Sequence, residues 1–263
     1  MLGIVRGKEN ESMEKPLIIA NWKCNPITLA EAKRNFELIK ENTKTAEKVE
    51  IVICAPFVFL PILKPSENVK LGAQDCFWED RGPFTGEVSP KQLVDVGCQY
   101  VILGHSERRR YLAEKTEAVN QKIKAALGAG LKVIFCVGSE TKIPGEEMEY
   151  QLTEGLKGLD KRVFDRLILV YEPVWAISTT KEKVIATPKE AQEGGLYMRK
   201  ILASLFDAET AKAARVIYGG SVDSKNIRGF LDEGEMAGGL VGAASLKSEE
   251  FIDIIKNACY PER

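Results

Sequence analysis

Lys132-Val133-Ile134-Phe135-Cys136-Val137 is apolar at every position after its lysine. A strand with one wet face alternates polar and apolar residues, whereas a run apolar on both phases is buried on both faces, as in a parallel sheet covered by helices. Similar short runs recur outward from it at residues 17–20, 49–55, 69–73, 100–103, 167–171, 216–218 and 239–241, making eight in all. Between them, residues 29–39, 116–127, 188–205 and 249–258 carry helical spacing, with Ser248 expected to cap the last. The alternation has no composition break, which predicts a single α/β unit. Eight strand–helix pairs in 263 residues fit a closed (β/α)8 barrel, of roughly 250 residues as a class, better than an open doubly wound sheet. The nucleotide fingerprints G-x-G-x-x-G and G-x-x-x-x-G-K-[ST] are absent.

Composition narrows the function classes. With 37 basic and 38 acidic side chains the net charge is -1, so no basic footprint for nucleic acid is expected. The longest apolar run, residues 51–63, is broken by Pro56 and Pro61 and falls short of the roughly 20 residues of a membrane span. The six cysteines form no C-x-x-C pair and have one histidine to help them, which gives no support for a bound metal. Free thiols in a reducing, cytoplasmic compartment are the simpler expectation. Residues 1–15 lack a signal-peptide apolar stretch and are expected to be a loosely attached extension, Met13 offering a second candidate start. The barrel domain is assigned residues 16–263.

In barrels of this class the reacting groups sit at the carboxyl ends of the strands. Here those ends carry Asn21-Trp22-Lys23, then His105 with Glu107, then Glu172, then Gly219-Gly220-Ser221 and finally Gly242-Ala243-Ala244-Ser245. His105 is the only histidine in the chain, so any imidazole chemistry must use it. Its plain alternative is a helix cap. Glu172 ends a second apolar run and is its strongest candidate partner. Asn21 and Lys23, two apart, share a strand face, and an inward lysine calls for a negative partner such as Glu107 or an anionic substrate. The small residues after the seventh and eighth strands suit a phosphate held by backbone N–H groups. After Glu172, Pro173 and the apolar Val174-Trp175-Ala176-Ile177 lead to a polar tip, Ser178-Thr179-Thr180-Lys181, a pattern that suggests a closing lid that excludes water.

These residues together resemble the triosephosphate isomerase family over residues 16–258. The resemblance rests on Asn21-Trp22-Lys23-Cys24-Asn25, Gly72-Ala73-Gln74-Asp75, Phe84-Thr85-Gly86-Glu87-Val88-Ser89, Gly104-His105-Ser106-Glu107-Arg108-Arg109, Tyr171-Glu172-Pro173-Val174-Trp175-Ala176-Ile177 and Tyr218-Gly219-Gly220-Ser221-Val222. It implies an α/β, single-domain (β/α)8 TIM barrel that interconverts dihydroxyacetone phosphate and D-glyceraldehyde 3-phosphate, a step of glycolysis and gluconeogenesis, without metal or organic cofactor. Glu172 would be the base that moves a carbon-bound proton, and a neutral His105 the electrophile at the carbonyl, the pairing known for this family. Lys23 would stabilise negative charge, Asn21 would position it and Glu107 would support both. Substrate phosphate would meet backbone N–H groups at Ser178, Ser221, Gly242 and Ala243. The loop of residues 74–87, from Gln74 to Glu87, would dock into a second copy in a homodimer, Thr85 reaching the partner's site.

The chain departs from the family pattern at three places. The usual Gly-Thr-Gly lid tip is Ser178-Thr179-Thr180, the second Gly of the pair after the eighth strand is Ala243, and Ser139 stands where glutamate is usual. Loss of two glycines restricts φ at the tip. Two alternatives therefore stay open at this level: an isomerase of another small sugar phosphate, and a catalytically impaired barrel serving as an interaction module.

Overall fold

The computed structural model describes residues 15–176 and 185–259. Its eight strands are β1 (Leu17–Asn21), β2 (Glu50–Cys54), β3 (Val69–Ala73), β4 (Cys98–Leu103), β5 (Lys132–Ser139), β6 (Leu167–Pro173), β7 (Arg215–Tyr218) and β8 (Gly238–Val241). They close in chain order into a barrel, every neighbouring pair parallel and β8 returning to β1. The helices are α1 (Leu29–Asn42), α2 (Pro90–Asp95), α3 (Ser106–Leu112), α4 (Thr116–Gly128), α5 (Glu146–Gly155), α6 (Pro188–Leu205), α7 (Ala208–Ala213), α8 (Ile227–Asp232) and α9 (Ser248–Ala258). The chain is therefore a single-domain (β/α)8 barrel. Among the described residues no helix is long and apolar enough to cross a membrane.

Two apolar layers explain why the strands are apolar on both phases. Leu17, Ile19, Val52, Tyr100, Ile102, Ile134, Ile168, Val170, Ile217 and Leu240 fill the barrel interior. The alternate residues, among them Ile18, Val101, Leu103, Val133, Phe135, Leu169 and Tyr171, pack outward against the helices. Burial of both faces rewards apolar residues at successive positions, so the period-2 signal disappears.

Several boundaries differ from the sequence expectation. β5 and β6 run two residues further, because Gly138 pairs with Glu172 and Ser139 with Pro173. Glu172 therefore sits inside a paired strand rather than beyond one. Ser248 does not cap α9: Lys247 holds the cap position with no side-chain bond, and Ser248 is the first helical residue.

A buried ion cluster fastens α3 and α4 to the start of the 74–87 loop. The Lys122 ammonium donates to Asp75 Oδ1 and Oδ2 at 2.9 and 2.8 Å and also to Glu114. Arg108 reaches Asp75 Oδ2 at 2.8 Å and Glu114 Oε1 at 3.0 Å. Deleting Lys122 leaves two buried carboxylates to share the Arg108 charge alone, and breaking a buried pair of this kind costs about 3–5 kcal/mol. Lys122→Met is expected to lower the melting temperature by roughly 6–20 °C in a chain of this size, read by calorimetry. An unchanged Tm would mean that the cluster adds nothing to stability.

Candidate active site

Strand phase alone brings two of the site residues inward. Asn21 follows Leu17 and Ile19, and Glu172 follows Ile168 and Val170, so both side chains enter the barrel mouth, where they are 5% and 1% exposed. Lys23 lies past the end of β1 and takes a left-handed conformation, φ 53°, uncommon for a residue with a side chain. Its backbone N–H donates to Asn21 Oδ1 at 3.0 Å, and its carbonyl accepts from Gln74 Nε2 at 2.9 Å. Gln74 also donates to the Cys54 carbonyl, tying the first and second strand ends together. The Lys23 ammonium lies 2.6 Å from Glu107 Oε1. Asn21 and Gln74 thus hold the turn while Glu107 aims the cation.

His105 comes inward against the strand phase. Position 105 shares the parity of Val101 and Leu103, which face the helices. Between them Gly104 takes φ 71°, a left-handed turn that reverses the sense of the chain and delivers the imidazole to the mouth. His105 then occupies the cap of α3, its Nδ1 accepting the Glu107 backbone N–H at 3.2 Å. With Nδ1 accepting, Nε2 is the ring nitrogen left to face Glu172 as a donor. The cap and the site partner, alternatives in the sequence, are the same residue used at both ring nitrogens.

Nε2 lies 3.1 Å from Glu172 Oε1. The contact is close but off line, since Oε1 is buried with no hydrogen-bond partner among the described residues. The other oxygen, Oε2, accepts the Ser106 backbone N–H at 2.9 Å. The Oε1 lone pairs of this carboxylate are thus not engaged by any neighbour among the described residues and are open to a proton. Cys136 stands beside it; burial pushes this thiol up, with the Glu172 charge adding to the effect, so it stays protonated. Burial likewise keeps Cys54 a thiol.

A cavity opens in front of this constellation, lined by Asn21, Lys23, His105, Ser221, Gly242 and Ala243 with the neighbouring Gly219 and Gly220. Ser221 donates its hydroxyl to the Ala176 carbonyl at 3.0 Å, linking the seventh strand end to the short 3-10 turn Val174–Ala176. Gly242 precedes a second 3-10 turn, Ala243–Leu246, and Ala243 itself is exposed. Gly219 and Gly220 are small for an additional reason. A Cβ on Gly219 would come within 2.5 Å of Val170 and 3.0 Å of Glu172 Cγ, and one on Gly220 would strike the Tyr218 ring. Glycine there makes room for the base as well as for a ligand. Ser178, Thr179 and Thr180 of the expected lid tip lie outside the described residues, and Ser139 is buried and bonded to Thr141.

Comparison with known proteins fits this arrangement. The family description "Triosephosphate isomerase" matches residues 16–258. The chain belongs to the triosephosphate isomerase family. Among its relatives, the triosephosphate isomerase of Dictyoglomus thermophilum is 44% identical over 253 residues, 93% of this chain and 100% of that one. That of Carboxydothermus hydrogenoformans is 44% identical over 254 residues, 94% and 100% of the two chains, and that of Geobacter metallireducens 43% over 251 residues, 92% and 98%. Of the residues singled out in the sequence, Asn21, Lys23, His105, Ser221, Gly242 and Ala243 line the cavity and Glu107 and Glu172 do not, while Gln74 was missed as a brace, having been seen only as the start of a docking loop. Its two acceptors come from separate strand ends, which spacing along the chain does not reveal.

Proposed function

We propose that this chain interconverts dihydroxyacetone phosphate and D-glyceraldehyde 3-phosphate by proton transfer through an enediolate, a step of glycolysis and gluconeogenesis. The observation that carries the reading is the buried, half-satisfied Glu172 carboxylate 3.1 Å from Nε2 of His105. A proton next to a carbonyl is too weakly acidic for a solvated carboxylate, so the base must be dry and the forming oxyanion must meet donors. Glu172 takes the proton from one carbon and returns it to the next, while His105 Nε2–H donates to the oxygen that gains charge. Lys23 supplies positive charge, Asn21 fixes the lysine turn and Glu107 orients its ammonium. The reaction moves only protons and calls on no metal or organic cofactor.

Glu172 lines a neighbouring chamber and not the cavity that holds Asn21, Lys23 and His105. In this reading its side chain turns from the Ser106 N–H toward the substrate as the substrate enters. The substrate phosphate is assigned to backbone N–H groups at Ser221, Gly242 and Ala243, with Ser178 contributing from the lid. Ala243 itself is exposed at the cavity. A coupled assay with dehydrogenase tests the reading: turnover on triose phosphate supports it, and none above background overturns it.

We further assign a homodimer through the loop of residues 74–87, acting in a reducing cytoplasm without nucleic-acid or membrane partners. Phe77 packs on Trp78 and Phe84 at centroid distances of 4.1 and 4.7 Å, yet Phe84 remains 39% exposed at the loop tip. An aromatic tip left in water suits a partner's pocket. All six cysteines are free, four of them buried, as a reducing compartment allows. Sedimentation velocity is expected to give a dimer; a monomer at micromolar concentration would contradict the assignment.

A further inference from the structure

Arg109, on α3 four residues after His105, is not used by the mechanism above. Its Nε donates to the Gly104 carbonyl at 2.8 Å and its Nη1 to Thr116 Oγ1 at 2.8 Å. Its Nη2 is buried and has no hydrogen-bond partner among the described residues. A Cβ on Gly104 would approach that Nη2 to 2.8 Å, Val119 to 3.1 Å and the Cys136 carbonyl to 3.2 Å, so the left-handed glycine and the guanidinium are fitted to each other. Arg109 also lines a chamber of about 220 Å³ together with Ser106, Glu147, Gln151 and Glu172. Burial pulls the Arg109 guanidinium down from its ordinary value, with the charges of Glu114, Glu172, Cys136 and Glu147 opposing that pull. An arginine in such a place stays charged.

Burying a charged fork with one edge unpaired is unfavourable, and such groups persist where the surroundings put them to use. Here the use is geometric. The Gly104 peptide decides whether His105 faces the helices or the barrel mouth, and Arg109 is the side chain that grips its carbonyl. We infer that Arg109 is a positioning residue for the isomerisation: its fork locks the Gly104 turn that aims His105 and the Ser106 N–H at Glu172, and its charge lies beside the chamber that Glu172 also lines. The inference rests on the proposed isomerase reading. Lysine could supply the charge but not the two-pronged grip, since its donors radiate from one nitrogen.

The test uses the full chain with 15N-labelled histidine, whose single imidazole gives one assignable pair of signals. Arg109→Met removes grip and charge at similar length, and Arg109→Lys restores charge alone. For Arg109→Met, kcat is expected to fall on the order of 10–100-fold, as a small misplacement of catalytic groups does, with KM within about threefold and the His105 signals displaced or broadened. Arg109→Lys should recover part of kcat. If Arg109→Met does not fold, Thr116→Val, which frees only Nη1, should show the same signature more weakly than Arg109→Lys. Wild-type turnover together with unmoved imidazole signals and unchanged kcat in a folded Arg109 variant would overturn the inference alone. Displaced signals in a protein whose wild type has no turnover would instead overturn the isomerase reading and leave the Gly104 grip standing.

Discussion

Glu172→Ala is expected to lower kcat on the order of 10³–10⁴-fold, the contribution of a well-placed general base, while the barrel still folds. The loss follows from there being no substitute among the described residues. Among the carboxylates near the mouth, Glu107 is engaged by Lys23, and Glu140 and Glu147 line only the chamber behind. The fold survives because the wild-type carboxylate is a poor contributor to stability. It is 1% exposed, one oxygen has no partner, and its removal relieves a buried charge while leaving a small cavity and an unpaired Ser106 N–H. These terms oppose each other, so Tm should move by no more than roughly 4 °C, about one kcal/mol either way. Steady-state kinetics with calorimetry on the same preparation checks both halves. Retention of more than a tenth of wild-type kcat would remove Glu172 from the role of base.

His105→Asn separates the two jobs of the single histidine. Asparagine is a good helix cap, and its Oδ1 can accept the Glu107 N–H that His105 Nδ1 accepts now. It cannot also place a donor where Nε2 lies, 3.1 Å from Glu172 Oε1. Turnover should therefore fall on the order of 10²–10³-fold, the usual cost of one oxyanion donor, with Tm within roughly 4 °C of wild type. His105→Ala, which loses the cap as well, should be the less stable of the two. Equal turnover in His105→Asn and wild type would reduce His105 to a cap.

The barrel was legible because its cause is simple. Strands buried on both faces read as unbroken apolar runs, and eight of them with helical spacers leave little choice of architecture. Asn21 was legible for a related reason, since strand parity places it inward at the rim, and Glu172 stood out as the carboxylate that ends an apolar run. His105 was legible as the only imidazole, but its direction was not: parity sends it outward, and a left-handed Gly104 held by Arg109 sends it in. Lys23 likewise leaves the regular pleat that would have set it beside Asn21. What remained hidden depends on contacts between distant segments, such as Gln74 on the Lys23 and Cys54 carbonyls or Gln151 Oε1 on the Gly138 N–H behind Glu172. Gly138 and Gly219 belong to the same class, small because the Glu172 backbone and side chain pass beside them.

The central claim is that one carboxylate carries a proton between adjacent carbons of a triose phosphate. Incubating the protein with dihydroxyacetone phosphate in deuterium oxide, and following both trioses by proton NMR, tests it most directly. The carboxylic acid formed on Glu172 exchanges with solvent, so D-glyceraldehyde 3-phosphate should appear carrying deuterium at carbon 2, and Glu172→Ala should abolish both product and label. Absence of product from the wild type, or product and label that persist in Glu172→Ala, would contradict it.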